Sequence, residues 1–380
     1  MIRFDERPIL VFWESTRACP LRCIHCRAEA ILERLPGELD TDEAFQLIDS
    51  ITRFGEPYPV LIITGGDPMM RDDLYEVIKY AVGRGLRIGL SPSVSSRLND
   101  ESIVELKRLG VRYISISLDG SSGSIHDYIR GIDGHFNDTI RVLRVLVEHG
   151  FRVQVNTLVS KFNVLDLPNI LNILNNIGIH IWELFFLIRV GRGMAIRDLS
   201  PHEYEDTLHF LLDATRYGFE VRTVEAPFYR RIAIWRSRDE ARLDPSRVRD
   251  EYGLGRLYIK LVKRMVELLG EPINEPKPRI HGTRDGMGVI FISYNGEIYP
   301  SGFAPYRLGD VRGGDLVEVY RGNPILKAIR MARFKGKCGV CEFKGICGGS
   351  RARALVEYND ILASDPACIY NPSRSSIGSP

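Results

Sequence analysis

Three cysteines, Cys19, Cys23 and Cys26, fall within the eight residues CPLRCIHC. Thiolates this close on one loop can wrap a single metal centre. A closed zinc site or a closed iron–sulfur cluster takes four protein ligands, however, so this site is one ligand short. An open position on a metal is where a substrate or cofactor binds. The alternative is a zinc ion that borrows a distant fourth ligand, for which His25 is the local candidate. The remaining cysteines form a second group, Cys338-x2-Cys341-x5-Cys347 with Cys368 further on. Four thiols could hold zinc or a second cubane, and spacing leaves both open. The seven cysteines divide three and four with none left over, a sorting that scattered core cysteines would not show.

The chain must be able to carry such centres. Its 380 residues are 44% hydrophobic and 26% charged, enough for one large core and one smaller one. A net charge of +2 implies no polyanionic partner such as nucleic acid. The opening MIRFDERPIL has no long apolar run and reads as no signal peptide. The longest apolar stretch, residues 179–188, contains Glu183 and is too short to span a bilayer. A cytoplasmic, non-membrane protein is expected, and clustered cysteines in that compartment are metal ligands or catalytic groups more often than disulfides.

The elements that would position the cysteines alternate. Strand-like runs at 9–15, 60–66, 87–93, 112–120, 152–160 and 179–187 are each followed by a helical pattern, giving six strand–helix pairs. The helix after the cysteines is capped by Asp40 or Thr41. Strict alternation with short connections predicts parallel strands and crossover helices. Six units are too few for a full eightfold barrel, so the expected fold is α/β, either a partial (β/α)6 barrel or a doubly wound sheet. In both, ligands sit at the carboxyl ends of the strands, where the cysteines, GGDP and SLDG would converge. The expected organisation is a barrel over 1–220, an arginine-rich helical insert and linker over 221–285, and a small cysteine-bearing domain over 286–380. That last domain has a hairpin signal turning at Asn295-Gly296. Between Tyr229 and Arg264 there are eleven Lys/Arg against five Asp/Glu. These form either a solvated helical face or a surface that greets an anionic substrate.

With Cys-x3-Cys-x2-Cys placed after the first strand, the chain resembles the radical S-adenosylmethionine enzymes. The resemblance implies a 4Fe–4S cluster on Cys19, Cys23 and Cys26 whose open iron is chelated by S-adenosylmethionine. One electron then cleaves the sulfonium to a 5′-deoxyadenosyl radical, which abstracts a substrate hydrogen. His25 stands at a position often aromatic in the family. TGGDP matches the family's Gly-Gly-Glu-Pro element, with Asp67 for the glutamate, and implies cofactor binding at Gly65, Gly66, Asp67 and Pro68. Ser117 and Asp119 after the fourth strand, Asn156 and Thr157 on the fifth, and Arg192 after the sixth are the further candidates for the cofactor's ribose and carboxylate. Asp119 capping a turn and Asn156 satisfying backbone groups are the alternatives. No catalytic residue beyond the cluster ligands is named.

The C-terminal cysteine block is similar to the SPASM-type, or twitch-like, extension of the same family. A full set there holds two auxiliary clusters. Ser301 and Ser350 stand here near places where cysteines would be, which implies loss of the nearer cluster. One auxiliary 4Fe–4S cluster on Cys338, Cys341, Cys347 and Cys368 is expected, fully ligated and suited to electron transfer. YPSGF and GGSRARA narrow the resemblance toward the enzymes of the alternative haem and haem d1 routes. That implies removal or shortening of a carboxylate side chain on an iron porphyrinoid, an oxidoreductase or lyase chemistry. Arginines in 226–264, with Arg351 and Arg353, are the expected carboxylate forks. Reducing electrons would come from a ferredoxin or flavodoxin. Radical modification of a ribosomal peptide is the second reading. The ten or so residues before the first strand leave no room for a leader-binding domain, which counts against it. A non-catalytic zinc or iron–sulfur scaffold is the reading of another class.

Overall fold

The computed structural model describes residues 3–237 and 243–372. Seven strands recur along the first part of the chain: β1 (Leu10–Glu14), β2 (Val60–Thr64), β3 (Ile88–Leu90), β4 (Tyr113–Ser117), β5 (Arg152–Val159), β6 (Ile181–Phe186) and β7 (Glu220–Val224). Three more follow: β8 (Val289–Ile292), β9 (Glu297–Tyr299) and β10 (Gly309–Asp310). All ten join in one sheet, ordered β10-β9-β8-β1-β2-β3-β4-β5-β6-β7. From β1 to β7 every pairing is parallel and sequential. A doubly wound sheet reverses its strand order at a switch point. This one does not, so successive right-handed crossovers all fall on one face and the sheet curls into a partial barrel.

The crossovers are α1 (Thr41–Thr52), α2 (Leu74–Gly83), α3 (Asp100–Arg108), α4 (Gly123–Arg130) with α5 (His135–Glu148), α6 (Leu167–Ile177) and α7 (Pro201–Ala214). Asp40 caps α1 reciprocally with Glu43, and Ser200 caps α7 with Glu203. The strands alternate between two faces. Leu61, Ile63, Ile114, Ile116, Trp182 and Leu184 are buried in the main core. Ile62, Thr64, Ser115, Ser117, Glu183 and Phe185, between them in sequence, line a central cavity.

β7 extends the barrel past the six units expected and past the boundary expected at residue 220. Its register with β6 runs from Ile181–Glu220 to Phe185–Val224. The strand was hard to see because Glu220 and Arg222 occupy alternate positions, and Arg222 lines the cavity, so the segment reads as polar. β8 is parallel to β1, from Leu10–Val289 to Trp13–Ile292, and turns into antiparallel β9 through Asn295-Gly296. Gly296 there has φ +88°, a conformation glycine adopts freely. Helices α11 (Leu316–Gly322), α12 (Pro324–Arg330), α13 (Gly336–Val340) and α14 (Arg351–Tyr358) complete the C-terminal part. Among the described residues no helix is long and apolar enough to cross a membrane.

The arginine-rich insert divides: Arg247, Arg256, Lys260, Lys263 and Arg264 are exposed, the solvated helical face expected, whereas Arg231 and Arg236 are buried. It forms α8 (Tyr229–Trp235), α9 (Pro245–Tyr252) and α10 (Arg256–Leu269); Arg238 and Arg242 lie outside the described residues. Asp213, fully buried on α7, accepts from Arg236 at 2.6 and 3.1 Å, from Arg216 at 3.1 Å and from the Tyr258 hydroxyl at 2.9 Å. Arg231 donates to both oxygens of buried Glu205, at 2.8 and 2.7 Å. These arginines fasten the insert to the barrel. Asp213→Asn leaves two buried guanidinium groups without their anion, and urea denaturation is expected to show a loss of about 3–5 kcal/mol.

Candidate active site

β1 delivers the chain into an irregular loop that carries all three N-terminal cysteines. Cys19 and Cys23 are buried and Cys26 half-buried. The loop is held from several sides by backbone bonds. Cys19 N donates to Ile31 O at 2.7 Å, Ile24 N to Ile129 O at 3.0 Å, and Arg22 N to Arg130 O at 3.2 Å. The end of β2 zips onto it as well, with Gly66 N to Thr16 O at 2.7 Å and Asp67 N to Ala18 O at 2.8 Å. Arg192 threads in from beyond β6, donating to Cys23 O at 2.9 Å and Ala30 O at 3.0 Å. Its remaining nitrogen is buried without a partner.

The central cavity, about 820 Å³, is lined by Cys19, Cys23 and Cys26 together with Gly65, Gly66, Ser117, Asp119, Asn156 and Arg192. These sequence candidates are therefore gathered on one surface. Asp67, Pro68 and Thr157 are not among its lining residues. The Asp67 carboxylate is spent on Met69 N, Ser93 N and Ser95 Oγ at 3.0–3.2 Å, and Pro68 opens the buried turn that Asp67 caps. The Thr157 hydroxyl donates to Leu118 O and accepts from the Trp182 indole, each at 2.7–2.8 Å. Asn156 lies within β5 rather than at its end, and its Oδ1 accepts from Gln154 at 2.8 Å.

Asp119 does more than cap a turn. It accepts from Leu158 N at 2.7 Å and pairs with Arg130 at 2.6 Å. Burial pushes its carboxyl up, but the Arg130 guanidinium overrides this and holds it below the usual carboxylate range. Arg130 also points a nitrogen at the Cys23 sulfur, 3.6 Å away. Sequence reading missed Arg130, which stands eleven residues beyond Asp119 at the end of α4 in the segment HDYIRG. Also missed was the buried pair on either side of it. His126 Nδ1 accepts from Asp119 N at 3.1 Å, its Nε2 lies 2.8 Å from His135 Nδ1, and His135 Nε2 lies 2.9 Å from Val94 O. That chain fixes the tautomers, with each ring passing one N–H onward. Burial holds His126 down to about 3, so it stays neutral at physiological pH. His25 is also neutral, pushed down to about 4 by burial.

Burial pushes the Cys19 thiol up to about 11, and raises Cys23 despite the pull of Arg130. Thiols in such surroundings ionise only against a compensating cation such as a metal. The loop fits a cluster in that sense: three thiols line one large cavity, with a guanidinium beside one of them. The C-terminal cysteines behave alike. Cys338, Cys341, Cys347 and Cys368 line one small cavity of their own with Phe228, Arg231 and Tyr370. Burial pushes Cys347 up to about 12 and Cys368 to about 11. Arg231 keeps two buried nitrogens without partners there, a donor set suited to cluster sulfurs. Among the described residues no three His, Cys, Asp or Glu side chains stand close enough to clasp a single ion. Ser350 and Ser301 lie on the wall of the larger cavity, Ser350 bonded to Glu225 and Ser301 with a buried hydroxyl lacking a partner.

Arg351 and Arg353 are not carboxylate forks. Arg351 donates to the carbonyls of Gly349, Ile361 and Ala363 at 2.7–3.2 Å. Arg353 bonds Glu225 O, Leu187 O, the Tyr204 hydroxyl and Asp365. Both are buried fasteners of α14.

Comparison with known proteins agrees with this geometry. Residues 13–174 match the family model described as Radical SAM superfamily. The chain is 35% identical over 370 residues to "AdoMet-dependent heme synthase" of Oleidesulfovibrio alaskensis, covering 96% of this chain and 88% of that one. It is 31% identical over 376 residues to the protein of the same name in Methanosarcina barkeri, covering 98% and 100%. Streptococcus suis SuiB, crystallised with precursor peptide SuiA, superposes with a TM-score of 0.67 at 14% identity, covering 96% of this chain and 76% of that one. At that identity the likeness speaks for the fold alone. The chain thus belongs to the radical S-adenosylmethionine superfamily, enzymes that use S-adenosylmethionine and a 4Fe–4S cluster.

Proposed function

We propose that this enzyme acts on the carboxylate side chains of an iron porphyrinoid, abstracting a hydrogen atom from one and releasing the carboxylate as carbon dioxide. The observation that carries the reading is the charge of the cavity. Nine arginines line it against four carboxylates, with no lysine. Guanidinium groups match carboxylates in shape and charge. The aromatic rings of Phe185, Phe291 and Phe303 offer an apolar wall beside them, and Arg27 lies 4.8 Å over the Phe291 ring. A volume of about 820 Å³ lies in the upper part of the range of small-molecule sites. A neutral peptide would bring no anion to Arg230 and Arg284, which bond only carbonyls of the protein. Two relatives named as heme synthases support the same direction.

In this reading Cys19, Cys23 and Cys26 hold the 4Fe–4S cluster, and Gly65, Gly66, Ser117, Asp119, Asn156 and Arg192 face the cofactor. When bound, cluster and cofactor supply a 5′-deoxyadenosyl radical. Asp119 and Arg130 fix the polar rim next to Cys23, and the neutral His126–His135 pair keeps Asp119 N in place without adding charge. Loss of one hydrogen atom and carbon dioxide from a propionate leaves a vinyl group and one electron. Cys338, Cys341, Cys347 and Cys368 hold a second 4Fe–4S cluster that accepts this electron. A ferredoxin or flavodoxin reduces the first cluster.

Anaerobic incubation with S-adenosylmethionine, dithionite and iron coproporphyrin III is expected to give 5′-deoxyadenosine in step with a porphyrin lighter by carbon dioxide and two hydrogens. Cleavage that responds to precursor peptides and not to the porphyrin would reject the proposal.

A further inference from the structure

Most buried arginines of this chain that face a functional surface have a carboxylate. Arg130 has Asp119, Arg231 has Glu205, and Arg27 has Glu14. Arg230 and Arg284, like Arg192 at the cysteine loop, have none. Both line the central cavity, and among the described residues neither forms an ion pair. Arg230 is fixed by the carbonyls of Ile346 and Thr283, at 2.8 and 2.7 Å. Arg284 gives one nitrogen to Gly345 O at 2.8 Å and keeps Nε and Nη1 buried with no partner. A buried cation without an anion is costly, and here burial together with the neighbouring Arg230 pushes Arg284 down to about 10.

The protein has carboxylates nearby and does not use them. Asp285, next in sequence, accepts from the amides of Arg351 and Ala352 that open α14. Glu225 is bonded to Ser350, and burial beside Asp285 raises its carboxyl well above the usual range. Gly286 N donates to Pro300 O at 3.0 Å, which brings Ser301 beside the Arg284 loop, and the buried Ser301 hydroxyl is also without a partner. Unpartnered donors thus collect on one patch of cavity wall, contributed by the C-terminal part and the linker before it, with two fixed positive charges behind them.

We propose that Arg284, backed by Arg230 and flanked by Ser301, is the subsite that takes a carboxylate of the substrate. This rests on the reading of the substrate as a carboxylate-bearing porphyrinoid. The side chains of Arg284, Arg230 and Ser301 make no hydrogen bond to the Cys19–Cys26 loop, so the role of the patch is to orient the macrocycle and to select acids over esters. Arg284 is a specificity residue rather than one that touches the reacting hydrogen.

The test is anaerobic titration of the reconstituted full chain with iron coproporphyrin III and with its fully methylated ester, read by Soret absorbance without reductant. Arg284→Gln is expected to weaken binding of the acid roughly 10- to 100-fold, the worth of a charge-assisted hydrogen bond, and to leave the ester unchanged. Arg284→Lys keeps the charge and is expected to restore part of the acid's affinity, and matching iron content and circular dichroism confirm that both variants fold. Equal weakening of acid and ester, or unchanged affinity for the acid, overturns the subsite while leaving the proposed function standing. Unchanged affinity with a shifted reduction potential of the C-terminal cluster assigns the free nitrogens to that cluster instead. Failure of the unaltered protein to bind the acid overturns the proposed function, and the subsite with it.

Discussion

Cys23→Ser is expected to abolish cleavage of S-adenosylmethionine and to remove about four irons per chain, whereas Cys341→Ser removes a similar number and leaves the N-terminal cluster's spectrum intact. The two sites are independent in the structure: each cysteine set lines its own cavity. Cys23 is the cysteine with a guanidinium beside it, Arg130 at 3.6 Å, and its carbonyl is held by Arg192. The loop is therefore already fastened around this position, and no neighbouring thiol can move in to substitute. Serine is a hard and weakly acidic donor in a buried place, so it replaces neither the charge nor the softness of the thiolate. Iron and sulfide analysis, electron paramagnetic resonance of the reduced protein and chromatography of 5′-deoxyadenosine read the outcome together. Full iron content in Cys341→Ser would remove the second cluster from the account.

Gly66→Ala is expected to release the cysteine loop from the barrel. A Cβ at Gly66 would lie 2.4 Å from Ala18 O and 2.8 Å from Arg17 O, and one at Gly65 would lie 2.3 Å from Thr16 O. Those atoms are backbone of the loop itself and cannot swing aside as a side chain would. Accommodation must break the Gly66–Thr16 and Asp67–Ala18 bonds that join β2 to the loop. The expected loss is about 3 kcal/mol or more, with iron retention falling first and the far-ultraviolet spectrum changing little until the cluster is gone. Gly37→Ala is the control. Its φ is +84°, where Gly66 has no positive φ, but its added Cβ meets nothing within 4 Å, so it bears only a backbone cost of about 1 kcal/mol. Equal effects at the two positions would mean that close packing on the loop is not what Gly66 supplies.

What the sequence made legible was covalently local. The two cysteine groups, the glycines after β2 and the period-two alternation of β2, β4 and β6 each lie within a short window, and the cavity gathers the cysteines of the first group with Gly65, Gly66, Ser117 and Asp119. Partnership between distant elements was not legible. Arginine composition cannot distinguish Arg236, buried against Asp213, from Arg284, which meets a carbonyl and no carboxylate. The cavity's cations come instead from strands and from the linker, Arg152, Arg222, Arg279 and Arg284 among them, with Arg230 the one residue of 226–264 that joins them through an arginine side chain. Asp67 shows the same limit: its motif places it next to the glycines, and the turn after β2 points its carboxylate back at Met69 and Ser95. Arg130 acquires its meaning only when α4 folds back over Cys23.

The place of β1 in the sheet has a consequence for synthesis. β1 is not an edge in the finished protein; it is covered on one side by β2 and on the other by β8, whose residues begin at Val289. Until Val289–Ile292 has been made, the nascent chain therefore presents LVFWE with one open, apolar edge and unpaired amides, a template for association with other chains. Barrel and C-terminal part are thus bound by a debt contracted at residue 10 and settled near residue 290, and the cysteine loop next to β1 finds its final shape only after that settlement.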